Sequence, residues 1–130
     1  MSRSSIALWL TAAILAACQA APAPSSAEPS RSPPPGVTVI VEDGRFVPPG
    51  DTGDGVPTLS VPPRTTVTFR NEGGLRHTAT HSEDGFPLPD ALFDLDLEPG
   101  TELRYTFETS GTYQVTCVPH PEMVLNIVVE

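Results

Sequence analysis

Lysine is absent from this chain, and basic residues of any kind are few. Seven arginines face sixteen aspartates and glutamates. Because only Arg3 precedes residue 18, residues 18–130 keep six arginines and carry a net charge of −10. A chain this acidic repels polyanions, which disfavours nucleic acids and anionic lipid surfaces as partners. The charge is compatible with a basic protein partner and equally with a role in solubility alone.

Soft donor atoms are also scarce, since the chain has two cysteines, two methionines and three histidines. Cys18 and Cys117 could in principle form a disulfide, but each lies in a motif with a more specific explanation. The heptapeptide CVPHPEM, residues 117–123, nevertheless combines Cys117, His120 and Met123. Each of the three has an ordinary explanation when taken singly, as a buried thiol, a surface imidazole and a core side chain. Their combination in seven residues indicates a metal site.

Long apolar runs are missing too. The apolar run at residues 6–17 is too short to span a bilayer comfortably. It follows Arg3 and precedes Cys18, which is the pattern of an export leader. The motif L-A-A-C resembles the bacterial lipobox, in which the cysteine is lipidated and becomes the new N-terminus. We therefore expect a signal peptide at residues 1–17 and lipidation of Cys18, with an ordinary secretory leader as the alternative. The protein is exported on either interpretation.

Residues 18–36 form a segment rich in proline, alanine and serine, with no apolar periodicity. Such a segment cannot bury enough surface to fold. We expect a tether that carries a single folded domain at residues 37–130. Stiffened by proline at about 3 Å per residue, it could hold that domain on the order of 50 Å from a membrane.

The domain shows short alternating runs separated by Gly, Pro, Asp and Asn, and no helical period. This pattern predicts an all-β sandwich. In residues 102–108, Leu103, Tyr105 and Phe107 should face the core, while Tyr113 is expected to be a core or corner tyrosine without a chemical role. Residues 82–100 are irregular, with a short helix or strand expected around ALFDLDL. The predicted strands are residues 37–41, 58–61, 65–70, 77–80, 102–108, 111–117 and 124–130.

The donor set of the heptapeptide favours copper that alternates between Cu(I) and Cu(II), with the thioether of Met123 as a weak axial ligand beside Cys117 and His120. A fourth donor should be a second histidine, and the candidates are His77 and His81 in HTATH. In an extended strand these two residues lie about 13 Å apart, so they cannot both bind one ion without a bend.

Three segments, RHTATHSEDGF, LEPGTELRYTFETSGTYQVTC and CVPHPEM, together resemble the plastocyanin family of cupredoxins. The spacing Cys-x2-His-x2-Met resembles the amicyanin-like branch of that family. The resemblance implies an eight-stranded Greek-key sandwich that binds one copper ion. It also implies the ligands His77, Cys117, His120 and Met123, because HTAT is similar to the H-T-V-T that follows the upstream ligand in bacterial members.

The chain departs from many relatives at two places. Val115 and Thr116 precede the cysteine where many relatives have an aromatic residue nearby, and Leu125 replaces a glycine after the axial methionine. The loss of that glycine affects the expected shape of the loop more than the identity of the ligands.

The function that the resemblance implies is that of a type 1 copper protein, not an enzyme. We expect a monomer that carries single electrons between a protein donor and a protein acceptor outside the cytoplasm. Two alternatives belong to other classes. One is a protein that binds and delivers copper, and the other is a metal-free extracellular binding sandwich.

Overall fold

The computed structural model describes residues 36–130, which contain ten β-strands. No helix capable of crossing a bilayer occurs between residues 36 and 130. The predicted leader, the lipidation site at Cys18 and almost the whole of the tether lie outside the described residues. The strands are β1 (Gly36–Glu42), β2 (Arg45–Val47), β3 (Thr58–Val61), β4 (Thr65–Asn71), β5 (His77–Glu83), β6 (Phe86–Pro87), β7 (Asp94–Leu97), β8 (Glu102–Phe107), β9 (Gly111–Cys117) and β10 (His120–Val129).

The strands form two sheets. One has the order β2-β1-β4-β8, and the other has the order β3-β10-β9-β5-β6 with β7 paired to β5. The β1–β4 and β3–β10 pairs are parallel, and the remaining pairs are antiparallel. The predicted all-β sandwich is therefore confirmed.

The strand number differs from the expected eight, because the structure has ten strands within residues 36–130. All seven predicted runs are strands. The additional strands β2 and β6 have three and two residues, which is too short for an alternating pattern to be visible. Strand β7 lies within the irregular segment 82–100, so the region around ALFDLDL forms a strand.

The core lies between the sheets and consists of aliphatic and aromatic side chains. Phe46, Phe69 and Phe107 are the largest, each 1% exposed or less. Full burial of such side chains stabilises the fold by about 1.5–3 kcal/mol each. Most of this core contains no metal-ligating atom, so the sandwich does not depend on an ion for its cohesion.

Leu103 lies on the predicted face, opposite the core residue Phe69, but its side chain is 38% exposed. Strand β8 is an edge strand, and the burial of its inward residues increases along its length. The ring of Tyr105 packs at 4.4 Å from that of Phe93, and Phe107 is buried. The predicted alternation of faces therefore holds along the strand, while its first residues are less covered by the core than its last ones.

Tyr113 is a corner tyrosine, as expected. Its hydroxyl donates a 2.8 Å hydrogen bond to the carbonyl oxygen of Thr109, four residues upstream. Its ring packs against Phe107 at a centroid distance of 5.1 Å. The residue therefore closes the turn before β9.

Candidate metal centre

Strand pairing brings the predicted ligands together at one end of the sandwich. Strands β5 and β9 are antiparallel neighbours, with Thr80 opposite Thr116. Continuing this register places Ala79 opposite Cys117, so His77, two residues earlier on β5, lies at the same end of the sheet as Cys117. Val118 and Pro119 then reverse the chain, and β10 begins at His120, which pairs with Cys117. Residues forty positions apart in the sequence thus become neighbours.

Three potential ligand atoms converge at this end. The Sγ of Cys117 lies 3.6 Å from Nδ1 of His77 and 3.5 Å from Nδ1 of His120. The ligand atoms of all three residues lie within 4.8 Å of one another. The two imidazole rings are 4.8 Å apart at their centroids. The two nitrogens and the sulfur are therefore close enough to bind a single ion.

Burial differs among the three residues. His77 and Cys117 are fully buried, whereas His120 is only partly buried. Burial raises the pKa of the Cys117 thiol, and hydrogen bonds from the backbone N–H groups of Thr78 and His120 oppose that shift. The Thr78 N–H lies 3.3 Å from the sulfur. Of these three residues, His120 is therefore the one in contact with solvent.

Met123 is buried, with 1% of its surface exposed. It lies in the irregular stretch of β10 between His120 and Val124, where the pairing with β9 changes register. The hydroxyl of Thr116 donates to the Met123 carbonyl oxygen at 3.3 Å, which ties this stretch to β9. The bulged stretch thus carries Met123 in the interior, three residues beyond His120.

His81 lies outside the cluster. Its Nδ1 accepts a hydrogen bond from the backbone N–H of Leu92 at 3.3 Å. Its ring packs against Phe93 and Tyr113 at centroid distances of 5.7 and 5.8 Å. Of the two candidates in HTATH, only His77 reaches Cys117.

A chain of hydroxyl groups supports the loop after Cys117. Thr80 donates to Oδ1 of Asp94 at 2.7 Å, which uses its one hydroxyl proton. Its oxygen must therefore accept the 2.9 Å bond from the hydroxyl of Thr78. The Thr78 oxygen in turn accepts from the N–H of Val118 at 2.9 Å. This hydroxyl chain, Asp94–Thr80–Thr78, connects the surface of β7 to the backbone beside Cys117.

Asp43 is a further residue of the site that the sequence analysis did not identify. It lies in the two-residue turn between β1 and β2, and its Oδ1 is 3.0 Å from Nε2 of His77. The carboxylate also accepts hydrogen bonds from the backbone N–H groups of Gly74 and Leu75, at 3.0 and 3.1 Å. The His77 bond and these backbone donors hold the pKa of Asp43 below its usual value. The sequence signal for this turn is only an Asp-Gly pair, which is common in turns without any site.

The loop that receives Asp43 is itself shaped by a buried side chain. The Nδ2 of Asn71 donates to the carbonyl oxygens of Leu75 and Leu97, at 2.8 and 2.9 Å, and its Oδ1 accepts from Gly73 N–H at 2.9 Å. A side chain at Gly73 would overlap Oδ1 of Asp43. The sequence Asn71-Glu-Gly-Gly is therefore suited to hold a carboxylate against His77.

The donor chemistry fits copper. One thiol sulfur and two imidazole nitrogens match the trigonal His2Cys arrangement of blue-copper sites, in which a thioether can serve as a weak axial ligand. The exposed surface beside the cluster is apolar at Val118, which is 52% exposed. The site is therefore suited to a redox-active ion that exchanges electrons with a partner protein docked on this surface.

The profile of a family described as copper binding proteins, plastocyanin/azurin family, matches residues 55–130. The chloroplastic plastocyanin of Physcomitrium patens is 34% identical over 67 residues, which cover 48% of this chain and 40% of that protein. The plastocyanin of Sambucus nigra is 33% identical over 69 residues, which cover 48% of this chain and 70% of that protein. The match therefore spans less than half of the moss protein.

Solved structures agree with this similarity. A novel purple cupredoxin from Nitrosopumilus maritimus superposes with a TM-score of 0.58 and 29% identity, over 72% of this chain and 99% of that chain. A reduced amicyanin variant superposes with a TM-score of 0.58 and 25% identity, over 73% of this chain and 82% of that chain.

Proposed function

Because the chain belongs to the plastocyanin/azurin family of copper-binding proteins, we propose that it carries single electrons between protein redox partners, with one copper ion as its cofactor. The observation that carries this proposal is the convergence of His77, Cys117 and His120, whose ligand atoms lie within 4.8 Å of one another. The chain acts as an electron carrier and not as an enzyme.

The proposed ligands are His77, Cys117, His120 and Met123. Three of them are supported by the distances between their ligand atoms. Met123 is supported by its burial in the bulged stretch after His120 and by the suitability of a thioether as a weak axial donor. Copper bound there supplies a one-electron couple between its two common oxidation states.

The side chains around the ligands serve electron transfer by keeping the site closed and fixed. The full burial of His77 and Cys117 excludes water, and the Thr78 N–H contacts the sulfur directly. The strands on both sides hold the ligands in place, so little rearrangement is needed when the charge of the site changes. His120 is the ligand nearest the solvent, and with the exposed Val118 it provides the surface for a partner.

The proposal extends to location and partners. The LAAC motif and the proline-rich segment support export of the chain, lipidation at Cys18 and a tethered domain at residues 37–130 that faces the periplasm or the cell exterior. The domain acts as a monomer. Its acidic surface suits a basic partner, in which case added salt should slow electron transfer between them.

The experiment that tests this function is copper loading of the purified protein, followed by visible spectroscopy and voltammetry. We expect intense visible absorption from charge transfer between thiolate and copper, together with a reversible one-electron wave. Cys117→Ser should remove the absorption and weaken copper binding while the far-UV circular dichroism of a β-sandwich persists, because most of the core does not involve the thiol.

Two outcomes would contradict the proposal. Retention of the strong band in Cys117→Ser would remove the basis of the site assignment. A colourless complex that exchanges its copper readily would point instead to copper delivery, the alternative function considered from the sequence.

A further inference from the structure

The carboxylate of Asp43 is held in one orientation by groups from a different part of the chain. Its Oδ1 lies 3.0 Å from Nε2 of His77 and 3.1 Å from the N–H of Leu75, and its Oδ2 lies 3.0 Å from the N–H of Gly74. The buried Asn71 shapes the loop that supplies the two backbone donors. The side chain is 45% exposed, yet both of its oxygens are engaged.

This contact determines which nitrogen of His77 carries the proton. An ionised carboxylate is only an acceptor of hydrogen bonds, so Nε2 must be the donor. In a neutral ring Nδ1 then keeps its lone pair, and Nδ1 is the atom that lies 3.6 Å from the Cys117 sulfur. Because His77 is fully buried, water does not compete for the Nε2 proton.

We propose that Asp43 is a positioning residue that presents Nδ1 of His77 to copper and lowers the reduction potential of the site. This inference rests on the proposed function. A carboxylate bonded to the far nitrogen of an imidazole makes the ring a stronger donor. A stronger donor and a nearby negative charge favour the more positive oxidation state. The Cu(II) form of the protein is therefore stabilised more than the Cu(I) form, which lowers the reduction potential.

The test compares Asp43→Asn with Glu42→Gln in the full-length protein. The two substitutions remove the same charge from adjacent residues, but Glu42 is an exposed residue and the carboxylate bonded to His77 is that of Asp43. The ratio of the Cu(II) to the Cu(I) binding constant should fall about tenfold in Asp43→Asn, which raises the potential by about 59 mV for one electron. Glu42→Gln should change the potential by much less.

A second readout does not depend on copper. Nitrogen-15 NMR of the metal-free protein at neutral pH should show His77 protonated at Nε2 in the wild type and in Glu42→Gln. In Asp43→Ala, the ring should lose this single tautomer and show a mixture. The Asp43→Ala variant also provides the comparison of potentials if Asp43→Asn folds poorly, since an amide group introduced at position 43 would face the N–H of Gly74.

The outcomes separate this inference from the proposed function. Equal shifts of potential in the variants of Asp43 and of Glu42 would overturn the tuning role, and an unchanged His77 tautomer in Asp43→Ala would overturn the positioning role. If the wild-type protein instead fails to form a coloured redox-active complex, the proposed function is wrong, and the tautomer measurement still decides whether Asp43 orients His77.

Discussion

His77 shows how one residue is selected for a site from two similar ones. His77 and His81 lie on the same strand and differ by four positions. The first is fully buried between Asp43 and Cys117, whereas the second packs among aromatic rings. The difference arises because His81 pairs with Val115 inside the sheet, whereas His77 lies at the end of the sheet where Cys117 and His120 are found.

We predict that His77→Gly opens a ligand position that added imidazole can refill. The visible absorption of the copper-loaded protein should change markedly in this variant and recover as imidazole is added. The matched control is His81→Gly, which has a similar backbone cost of about 0.5–1 kcal/mol in a strand but leaves the cluster intact. The spectrum of the control should remain close to that of the wild type, and the reverse pattern would transfer the ligand role to His81.

At the scale of elements, the ligand loop after β9 is supported from β5 and β7. The hydroxyl chain Asp94–Thr80–Thr78 ends at the N–H of Val118, the first residue after Cys117. Thr78 and Thr80 are 6% and 2% exposed, so water cannot easily replace a missing partner. Strand β5 thus supplies both a proposed ligand and the support of the turn that leads from Cys117 to His120.

We predict that Thr80→Val lowers the free energy of unfolding of the metal-free protein by about 1–3 kcal/mol, because the buried hydroxyl of Thr78 loses its acceptor. Amide hydrogen exchange at Val118 should also become faster. The control is Thr66→Val, which breaks the 2.9 Å hydrogen bond between Thr66 and Thr106 on the other sheet. The control should cost about 0.5–1.5 kcal/mol and leave exchange at Val118 unchanged. Equal exchange rates at Val118 in the two variants would show that the hydroxyl chain does not support the loop.

The whole molecule combines a closed redox site with an acidic surface and a proposed membrane anchor. Each feature limits which partners can be reached, since the proposed anchor would keep the domain near a membrane and the charge disfavours acidic partners. These properties concern encounters with partners and leave the chemistry of the site unchanged.

We predict that Cys18→Ala releases the protein from the membrane fraction or leaves an uncleaved precursor, because the proposed lipid is attached to that thiol. Fractionation and mass spectrometry of the native N-terminus provide the measurement. A truncated chain that begins near Pro35 should bind copper in solution as well as the chain that keeps the upstream sequence. An unmodified terminus downstream of Cys18 would contradict lipidation.

Most of the fold and the centre of the site could be inferred from the sequence, because both depend on residue patterns within short segments. Alternating residues determine which face of a strand is apolar, and the seven runs of this kind are strands in the structure. Cys117, His120 and Met123 belong to one heptapeptide. Their proximity follows from chain connectivity, whatever the rest of the molecule does. Strands of two or three residues, such as β2 and β6, are too short for this reasoning.

The family resemblance already favours His77 over His81, whereas the carboxylate of Asp43 and the hydroxyl chain from Asp94 are visible only in the folded chain. Asp43 is 34 positions from His77, and Thr78 is 40 positions from Val118. Such contacts depend on which strands are neighbours and in what register they pair. Residue spacing does not specify the neighbours of a strand or its register, because many pairings of the same strands bury similar apolar faces. The supports of the site are therefore a property of the assembled sheets, whereas three of its four proposed ligands are a property of one short segment.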